Sequence, residues 1–411
     1  MARAKSEAKK LDILIVGAGP AGLTLALALK QAMPELKVGL NDVRKIEVPE
    51  KDGRASALAL GVTSVFEALG VWADMLPDAS PIDGMNITDS SDKDLTRPLF
   101  LRFEGDVQPG RPFAHMVPNK TTIGALMGKL NAFDLEIIAP DKVTKIEQGG
   151  AHSIVHFESG LIVHAALVVA ADGARSALRQ MAGIETTGHD YGQSGIVTTI
   201  EHELDHKNVA YEHFLPHGPF ASLPLPNKRS SLVWSEKTKL VPDILAMPEE
   251  ELAREVERKM GSSLGKVSIL APVQAFPLRL QIAKEFVGDR LALIGDAAHV
   301  VHPIAGQGMN LGLKDVAALA EVLVEAARHG EDLGGVDVLD RYQKLRRFDT
   351  GLMALATDAL NILFSNDQPL VRVMRDVGLG LVDRAPFLKK AFIGHAAAAN
   401  DDLRLLKGLP L

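Results

Sequence analysis

The feature that most constrains the fold is a glycine-rich turn near the N-terminus. The apolar run LDILIV leads into GAGPAG at residues 17–22, LTLALALKQAM follows, and Pro34 ends that segment. A buried strand, a turn and a helix in this order, with a second short strand at KVGLND, predict a βαβ unit. Because the two strands of such a unit run in the same direction, the chain is expected to build a parallel sheet.

The G-x-G-x-x-G spacing of this turn is typical of a site for the pyrophosphate of a dinucleotide. Gly17 permits the tight turn, Gly19 lets the backbone approach the pyrophosphate, and Gly22 lets the helix pack closely on the strand. Pro20 and Ala21 lie where the helix opens, and its N-terminus favours the anion. The alternative is a glycine turn that only connects two elements, and the strand, the helix and a following acid argue together against it.

An acidic residue about twenty positions further on is expected to bind a ribose hydroxyl. Asp42, at the end of KVGLND, is the candidate, with Asn41 as a weaker one. A second loop, ADGARS, follows the strand LVVA and contains Asp172. Taken alone, its Asp-Gly pair indicates an ordinary turn, and the first loop alone does not distinguish one dinucleotide from another.

A third loop carries more glycine and places a carboxylate beside it. LALI leads into GDAAHVVHPIAGQGMNLGLKD, so that Asp296 lies at the carboxyl end of a strand, where ligands bind in open α/β sheets. Gly306, Gly308 and Gly312 surround the start of the next helix and leave peptide N–H groups bare. Such a helix end stabilises a flat ring that becomes anionic on reduction, and the acid can hold a polyol chain. A pyrophosphate, a polyol and a flat ring together indicate FAD, since NAD has no polyol chain.

Other features narrow the function by exclusion. The formal charge of −7 gives no support to nucleic-acid binding, and the absence of cysteine excludes disulfides, thiolate metal sites and thiol nucleophiles. HELDH formally matches a zinc motif, but it follows the β-branched run IVTTI. In an extended chain His202 and His206 would lie roughly 13 Å apart, so we predict no metal site. His299 and His302 are expected to be hydrogen-bonded structural groups rather than ligands or bases.

The arrangement of elements along the chain predicts an α/β protein. An antiparallel sheet inserted between α/β portions is indicated by three strand-like segments, IVTTI, VAYEHFL and SSLVWSE. A helix is indicated at ALGVTSVFEALGVWADML, and the pattern is helical from residue 309 onward. We predict a Rossmann-like FAD-binding fold with an interleaved antiparallel-sheet substrate domain and a helical C-terminal region. The expected ranges are 1–75, 105–185 and 275–340 for the discontinuous FAD-binding domain, 76–104 and 186–274 for the substrate domain, and 341–411 for the C-terminal region.

The three loops also carry a family resemblance. In order and spacing, GAGPAG, ADGARS and GD resemble the three fingerprints of group A flavoprotein hydroxylases. The third loop is more specific and resembles the signature H-P-x-[AG]-G-Q-G-x-N-x-G-x-x-D of the ubiquinone-biosynthesis hydroxylase family. RASALALGVTSVFEALGVW, FLPHGPFASLPLP, YQKLRR and GLGLVDRAPFLKK agree as well, so the resemblance covers nearly the whole chain. The positions that match the signature are His302, Pro303, Ala305, Gly306, Gln307, Gly308, Asn310, Gly312 and Asp315.

The resemblance implies three groups of cofactor contacts and assigns no catalytic acid or base. The ADP half of FAD would lie against Gly17, Gly19, Pro20, Ala21, Gly22 and Asp42, the last one methylene shorter than the family's frequent glutamate. The phosphates, the ribityl chain and a transient nicotinamide donor would meet Arg54, which we place at the start of a helix, and Asp172, Gly295 and Asp296. The isoalloxazine ring would be bordered by Pro303, Gly306, Gln307 and Gly308, and the cofactor would also contact Met309 and Asn310.

The implied activity is that of an FAD-dependent monooxygenase. NAD(P)H or another donor would reduce the flavin, O2 would supply the oxygen atom, and the aromatic ring of a polyprenylated phenol or quinol in ubiquinone biosynthesis would be hydroxylated. Two alternatives stay open, namely a hydroxylase of a soluble phenol on the same fold and a non-catalytic flavin-binding scaffold of a biosynthetic complex. The resemblance names neither the ring carbon, nor the electron donor, nor an oligomeric state.

The C-terminal segment 368–411 mixes apolar residues with arginine and lysine. A basic amphipathic segment can lie on a membrane surface, whereas a helical hairpin packed on the body is the favoured alternative. No apolar run approaches the ~20 residues of a spanning helix, and the N-terminus lacks the pattern of a signal peptide. We therefore expect a cytoplasmic protein, with docking on the inner face of the membrane and contact with other ubiquinone-biosynthesis enzymes as hypotheses.

Overall fold

The computed structural model describes residues 8–50, 52–89, 99–104, 109–303, 306–364 and 402–411. Within these ranges the helices, numbered in chain order, are α1 (Pro20–Ala32), α2 (Leu60–Ala68), α3 (Trp72–Met75), α4 (Asn119–Leu130), α5 (Ala177–Met181), α6 (Val241–Leu245), α7 (Glu249–Met260), α8 (Gln307–His329) and α9 (Val336–Phe364).

The strands of the same ranges form three sheets. They are β1 (Lys9–Val16), β2 (Val38–Asn41), β3 (Ala55–Ala59), β4 (Ser80–Ile82), β5 (Gly84–Asp89), β6 (Leu99–Glu104), β7 (Ala114–Pro118), β8 (Glu136–Ile138), β9 (Val143–Glu147), β10 (Ser153–Phe157), β11 (Ile162–Ala170), β12 (Thr186–His202), β13 (Val209–Leu215), β14 (Gly218–Leu225), β15 (Arg229–Lys237), β16 (Val267–Ile269), β17 (Gln274–Ala283), β18 (Val287–Gly288), β19 (Leu291–Leu293) and β20 (His299–Val300).

The first sheet contains the βαβ unit predicted from the N-terminal sequence. Its main path is β18-β19-β11-β1-β2-β8, and β9 and β10 extend it beside β11. β1 runs parallel to β11 on one side and to β2 on the other. Ile13, Leu14 and Ile15 of β1 are fully buried, as expected of a central parallel strand that is covered on both faces. The predicted parallel sheet is confirmed for β19, β11, β1, β2 and β8, whereas β9, β10 and β18 join this sheet through antiparallel pairs.

The second sheet has nine strands and lies beside the third loop. Its main path is β20-β17-β12-β15-β14-β13-β5-β6, with β16 next to β12. Its pairs are antiparallel except β13 and β5, which run parallel, so the sheet predicted to be antiparallel is mixed. Residues 294–298 connect β19 of the first sheet to β20 of the second. The third loop therefore crosses from one sheet to the other and places the site between them.

A small third sheet, β3-β7-β4, packs against the second and corrects one prediction. The helix predicted over residues 59–76 is instead two helices, α2 and α3, separated by a turn at Gly70 with φ +66°. Arg54 precedes the strand β3 and does not open a helix. The segment ASALA at residues 55–59 pairs with β7 as a strand, so the helix begins only at Leu60.

The domain ranges stay a prediction. Strands of the second sheet come from residues 84–89, 99–104, 186–237, 267–283 and 299–300. Thus β20 and all of β17 except Gln274 belong to this sheet, although they fall within the range 275–340 that was predicted for the FAD-binding domain. Along the chain, strands of the first and second sheets therefore alternate more often than the predicted domain ranges do.

The helical pattern predicted after residue 309 is present in α8 and α9. Most of the segment 368–411, up to residue 401, lies outside the described residues. Residues 402–411 pack on the body, since Leu405 and Leu406 are buried and Arg328 donates to the carbonyl oxygen of Leu411 at 3.2 Å. No helix in the described part of the chain combines the length and apolar character that a membrane crossing requires.

Candidate active site

The first glycine loop joins β1 to α1, and its glycines differ in which atoms an added Cβ atom would contact. Gly17 has φ +113°, and a Cβ atom there would lie 2.1 Å from the carbonyl oxygen of Ala171. A Cβ atom at Gly22 would lie 1.9 Å from the carbonyl oxygen of Gly17. A Cβ atom at Gly19 would meet no protein atom within 4 Å. The loop itself therefore needs Gly17 and Gly22, whereas Gly19 leaves bare backbone facing open space.

Asp42 lies beside this loop at the end of β2. Its Oδ2 accepts the backbone N–H of Ala18 at 3.0 Å. Asn41 is buried, and its side-chain amide donates to the carbonyl oxygen of Ile138 in β8 at 2.6 Å. Asn41 thus holds two strands together, and Asp42 is the residue whose carboxylate reaches the loop. Its contact with a ribose stays a prediction.

The second loop is tied to the third by an arginine that the sequence analysis did not single out. Ser176 is the N-cap of α5, and Asp172 Oδ2 accepts the N–H of Ala177, the first residue of that helix, at 2.7 Å. Arg179 is buried and donates to the carbonyl oxygens of Ala174 at 3.0 Å and Ala297 at 2.7 Å. Its position soon after an Asp-Gly turn was the one signal in the sequence. The predicted contact of Asp172 with FAD stays a prediction.

The third loop places a carboxylate at the edge of the first sheet. Gly295 has φ +59°, and a Cβ atom at Gly312 of α8 would lie 3.1 Å from the Cα atom of Gly295. Close packing of these two glycines brings α8 against the turn. The side chain of Asp296 is exposed to the space in front of the turn, but protein atoms surround its carboxyl group on the other sides and partly desolvate it. This burial raises the pKa of Asp296 above its ordinary value, although nearby histidine and arginine side chains act in the opposite direction.

A buried charge network lies behind the third loop. Asp315 is fully buried. Its Oδ2 accepts the N–H of Gly295 at 2.9 Å and lies 2.6 Å from Nε2 of His299. Its Oδ1 accepts a hydrogen bond from Nε of Arg346 at 2.8 Å. Burial would raise the pKa of Asp315, but His299 and Arg346 lower it below its ordinary value. The hydrogen-bonded structural role predicted for His299 is confirmed. YQKLRR, noted only as part of the resemblance, contains Arg346.

His302 differs from His299, and the hydrogen bonding predicted for it is wrong. It is fully buried, and neither ring nitrogen has a hydrogen-bond partner among the described residues. The ring packs edge-on against Tyr191 with centroids 5.0 Å apart. Burial lowers the pKa of His302 to about 4, against a weaker opposite effect of Asp358. The ring is therefore neutral at physiological pH.

This buried histidine predicts a pH dependence of stability. His302 takes up a proton near pH 6.5 in the unfolded chain but only near pH 4 in the folded chain. The neutral ring therefore makes its full contribution to the free energy of unfolding above pH 6.5, and this contribution is lost as the pH falls towards 4. Between these values the free energy of unfolding of the wild type is expected to fall by up to about 3 kcal/mol relative to His302→Phe. Urea unfolding with excess FAD measures this difference. His329→Asn, at an exposed site, is the control, and equal profiles for wild type and His302→Phe would contradict the prediction.

The first turn of α8 is fastened to the third sheet. Gly306 has φ +63°, and a Cβ atom there would lie 3.0 Å from Cβ of Ala57, whereas one at Gly308 would meet nothing within 4 Å. Asn310 Oδ1 accepts the N–H of Ala59 at 2.9 Å, and its Nδ2 donates to the carbonyl oxygen of Ala57 at 2.9 Å. Asn310 therefore positions the helix start by bonding to the backbone of β3.

Arg54 carries a partner that the sequence analysis missed. Its Nε and Nη2 each donate to the carboxylate of Asp52 at 2.8 Å, and its guanidinium lies 5.7 Å from the centre of the Phe276 ring. The hydrogen bond to Asp52 raises the pKa of Arg54 above its ordinary value. The D-x-R spacing at residues 52–54 could have indicated the pair. Contact between Arg54 and the FAD phosphates stays a prediction.

The HELDH segment does not have the extended conformation on which its exclusion as a zinc site was based. The chain bends at Glu203 and Leu204, directly after His202, so the rings of His202 and His206 lie 5.5 Å apart. Their nitrogens bond elsewhere, with His202 Nδ1 2.7 Å from the carbonyl oxygen of Leu204 and His206 Nε2 2.8 Å from that of Leu225. Across the described ranges, no group of three or more His, Cys, Asp or Glu side chains is placed to hold a metal.

One pocket connects the three loops with the second sheet. Of the predicted site residues it is lined by Gly19, Pro20, Ala21, Arg54, Gly295, Asp296, Pro303, Gly306, Gly308 and Met309. Predicted residues that do not line it are Gly17, Gly22, Asp42, Asp172, Gln307 and Asn310. The second sheet contributes Glu212, Ala221, Leu223, Val233 and Val300 to the lining. The structure thus gathers most of the predicted contacts around one space.

The loop end of this pocket fits a dinucleotide that carries a flat ring. α1 and α8 begin after Gly19 and Gly306, and neither helix start has a side-chain cap among the described residues, so backbone N–H groups of their first turns lie near the pocket. The Cβ atoms that Gly19 and Gly308 lack would project into this space without meeting protein. Asp296 adds a carboxylate for polyol hydroxyls. These are the groups that the sequence predicted for FAD.

Comparison with known proteins agrees with this geometry. The FAD binding domain family matches residues 10–350 of the chain. The ubiquinone hydroxylase UbiL of Rhodospirillum rubrum is 42% identical over 409 residues, which cover 98% of this chain and 94% of the relative. The chain belongs to the ubiquinone hydroxylase family of FAD-binding proteins. The 3-demethoxyubiquinol 3-hydroxylase of Escherichia coli is a second family member, 33% identical over 94% of this chain and 98% of its own length.

Solved structures show that the family fold is shared more widely. The p-nitrophenol 4-monooxygenase PnpA from Pseudomonas putida DLL-E4 superimposes with a TM-score of 0.78 over 94% of this chain and 97% of its own, at 19% identity. At this identity the likeness concerns the fold. The predicted family, the Rossmann-like FAD-binding fold and the FAD cofactor are confirmed.

Proposed function

We propose that this protein is an FAD-dependent monooxygenase that hydroxylates the aromatic ring of a polyprenylated phenol or quinol in ubiquinone biosynthesis. One observation carries the proposal: a single pocket has the FAD loops on one side and a mostly apolar face of the second sheet, with Ala221, Leu223 and Val233, on the other. An aromatic ring with an apolar tail suits that wall. The relatives named as ubiquinone hydroxylases support the substrate class.

The residues of the chain would position the reactants and exclude water. Bound FAD would supply the activated oxygen atom, with O2 and electrons from NAD(P)H or another donor. Asp296 would hold hydroxyl groups of the ribityl chain, and the N-terminus of α8 would stabilise negative charge at the adjacent end of the ring. Water would be kept from the face of the flavin ring by the apolar side chains of Ala221, Leu223 and Val233. This exclusion would protect the oxygen transfer from side reactions with water.

The two alternatives have less support. A soluble phenol would favour a polar wall, and the sheet residues that line this pocket are mostly apolar. A non-catalytic scaffold has no counterpart among the named hydroxylase relatives. Docking on the inner face of a membrane, contact with other ubiquinone-biosynthesis enzymes and a cytoplasmic location remain part of the proposal.

The proposal is tested by the lipids of cells that lack the protein. Such cells are expected to lose ubiquinone and to accumulate a polyprenylated precursor with one ring oxygen fewer, because the blocked step adds that oxygen. Mass spectrometry of lipid extracts identifies the precursor and the ring carbon, and reintroduction of the wild-type chain is the control. Normal ubiquinone content without the protein would contradict the proposal, and accumulation of a soluble phenol would favour the first alternative.

A further inference from the structure

A single carboxyl group interrupts the apolar wall that the second sheet presents to the pocket. Glu212 of β13 lies opposite Ala221 of β14, and Ala221 lies opposite Val233 of β15. All three line the pocket, together with Leu223. Among the described residues of this sheet that line the pocket, Glu212 is the one that can ionise. It is only 5% exposed, so its carboxyl group lies deep in the pocket rather than at the surface.

Glu212 differs in its lack of partners from Glu236, which is also buried in this sheet. Glu236 of β15 lies 2.6 Å from Nδ1 of His217 and 3.5 Å from Nζ of Lys259. No hydrogen bond or ion pair joins the carboxyl group of Glu212 to any other described residue. A buried carboxyl group without a partner is costly for the fold. A molecule that fills the pocket would provide the missing partner.

The immediate surroundings of Glu212 are apolar. Its neighbour across the strand pair with β5 is Ile87, and the third sheet packs against this face with Ala57 and Met116. Burial alone raises the pKa of Glu212 to about 8.

The charged groups near this pocket lie away from the wall. The neighbouring Tyr211 and His213 lie on the other side of β13, because successive strand residues point to opposite faces, and His213 bonds Thr88. The charged residues that line the same pocket, Asp52, Arg54 and Asp296, belong to its cofactor end.

We propose that Glu212 binds the hydroxyl group of the aromatic substrate and accepts its proton during hydroxylation. This inference rests on the proposed function and adds the acid–base group that the sequence did not assign. As a ring carbon bonds to the transferred oxygen, the O–H bond of the substrate hydroxyl breaks, its electron pair moves towards the ring, and the proton passes to Glu212. The ring hydrogen then leaves as a proton, and Glu212 returns its proton to the substrate oxygen. O2 and the two electrons of NAD(P)H are consumed in the oxygen transfer, so no further oxidant is needed.

The proton transfer is tested with Glu212→Gln, which keeps the size of the side chain and cannot ionise. With 2-prenylphenol as the probe, kcat/KM of the wild-type holoenzyme is expected to rise with pH through an ionisation near 8, and the variant is expected to lose this step and about 100-fold in kcat. Glu236→Gln makes the same change at the partnered glutamate and should keep the wild-type profile. FAD content, measured for each protein, excludes loss of cofactor as the cause.

A binding measurement completes the test without turnover. Titration of the FAD absorbance with 2-prenylphenol is expected to give about tenfold weaker binding for Glu212→Leu, which removes the hydrogen-bonding group, and little change for Glu212→Gln. If the wild type hydroxylates 2-prenylphenol and Glu212→Gln does so at the same rate and with the same pH profile, this inference is overturned, while the proposed function stands. Absence of any binding by the wild-type holoenzyme would overturn it together with the proposed function.

Discussion

Gly17→Ala is expected to lower the free energy of unfolding by about 3 kcal/mol or more, and the purified variant is expected to contain no FAD. Two causes add. Gly17 has φ +113°, which L side chains rarely adopt, and the new Cβ atom would lie 2.1 Å from the carbonyl oxygen of Ala171 in the adjoining second loop. Backbone on both sides leaves the clash no flexible group to move. Urea unfolding of the apoprotein measures the loss.

Gly19→Ala separates the needs of the loop from those of the cofactor. Its Cβ atom would meet no protein atom within 4 Å, so the apoprotein should unfold at the same urea concentration as the wild type. The same methyl group would occupy space that the pyrophosphate is predicted to approach, and FAD should bind at least about tenfold more weakly. Equal stability losses in the two variants, or full FAD affinity in Gly19→Ala, would contradict the assigned roles.

The first and third loops could be predicted because each is a local pattern. A buried strand, a glycine turn and a helix N-terminus are read from adjacent residues, and the structure has this arrangement at Gly17–Gly22 and around Gly295. The parallel sheet follows from the same pattern, since βαβ units allow no other pairing. The family resemblance then included Asp315 in the signature and Arg346 in the separate piece YQKLRR, but it did not indicate that the two residues are in contact.

The supports of the site could not be predicted because they are long-range. Asn310 bonds Ala59, 251 residues earlier, and this contact depends on β3 being a strand, which the helical spacing after it concealed. Glu212 faces the pocket only through the register of β13 with β14 and β5. His302 shows the converse: a histidine after a strand end was expected to be hydrogen-bonded, but its burial against Tyr191 provides no partner among the described residues.

Arg346→Met is expected to destabilise the protein by about 3–5 kcal/mol, because it leaves a buried carboxylate without its cation. Arg346 is 1% exposed and bonds Asp315 Oδ1 at 2.8 Å and Asp349 Oδ2 at 2.8 Å. Asp315 also holds the N–H of Gly295, so the third loop should loosen and FAD should bind more weakly. Urea unfolding and FAD titration measure the two effects.

Arg347→Met is the matched control at the next position along α9. The side chain of Arg347 is 55% exposed and pairs at 3.2 Å with Glu285, which is itself 50% exposed, so solvent screens the pair and its loss should change stability little. If the cost at Arg346 comes from the unpaired carboxylate, replacing both partners in Asp315→Leu/Arg346→Met should recover part of the stability lost in the single variant. A double variant less stable than Arg346→Met, or equal losses in the two arginine variants, would show that the buried charge pair is not what holds α9 to the third loop.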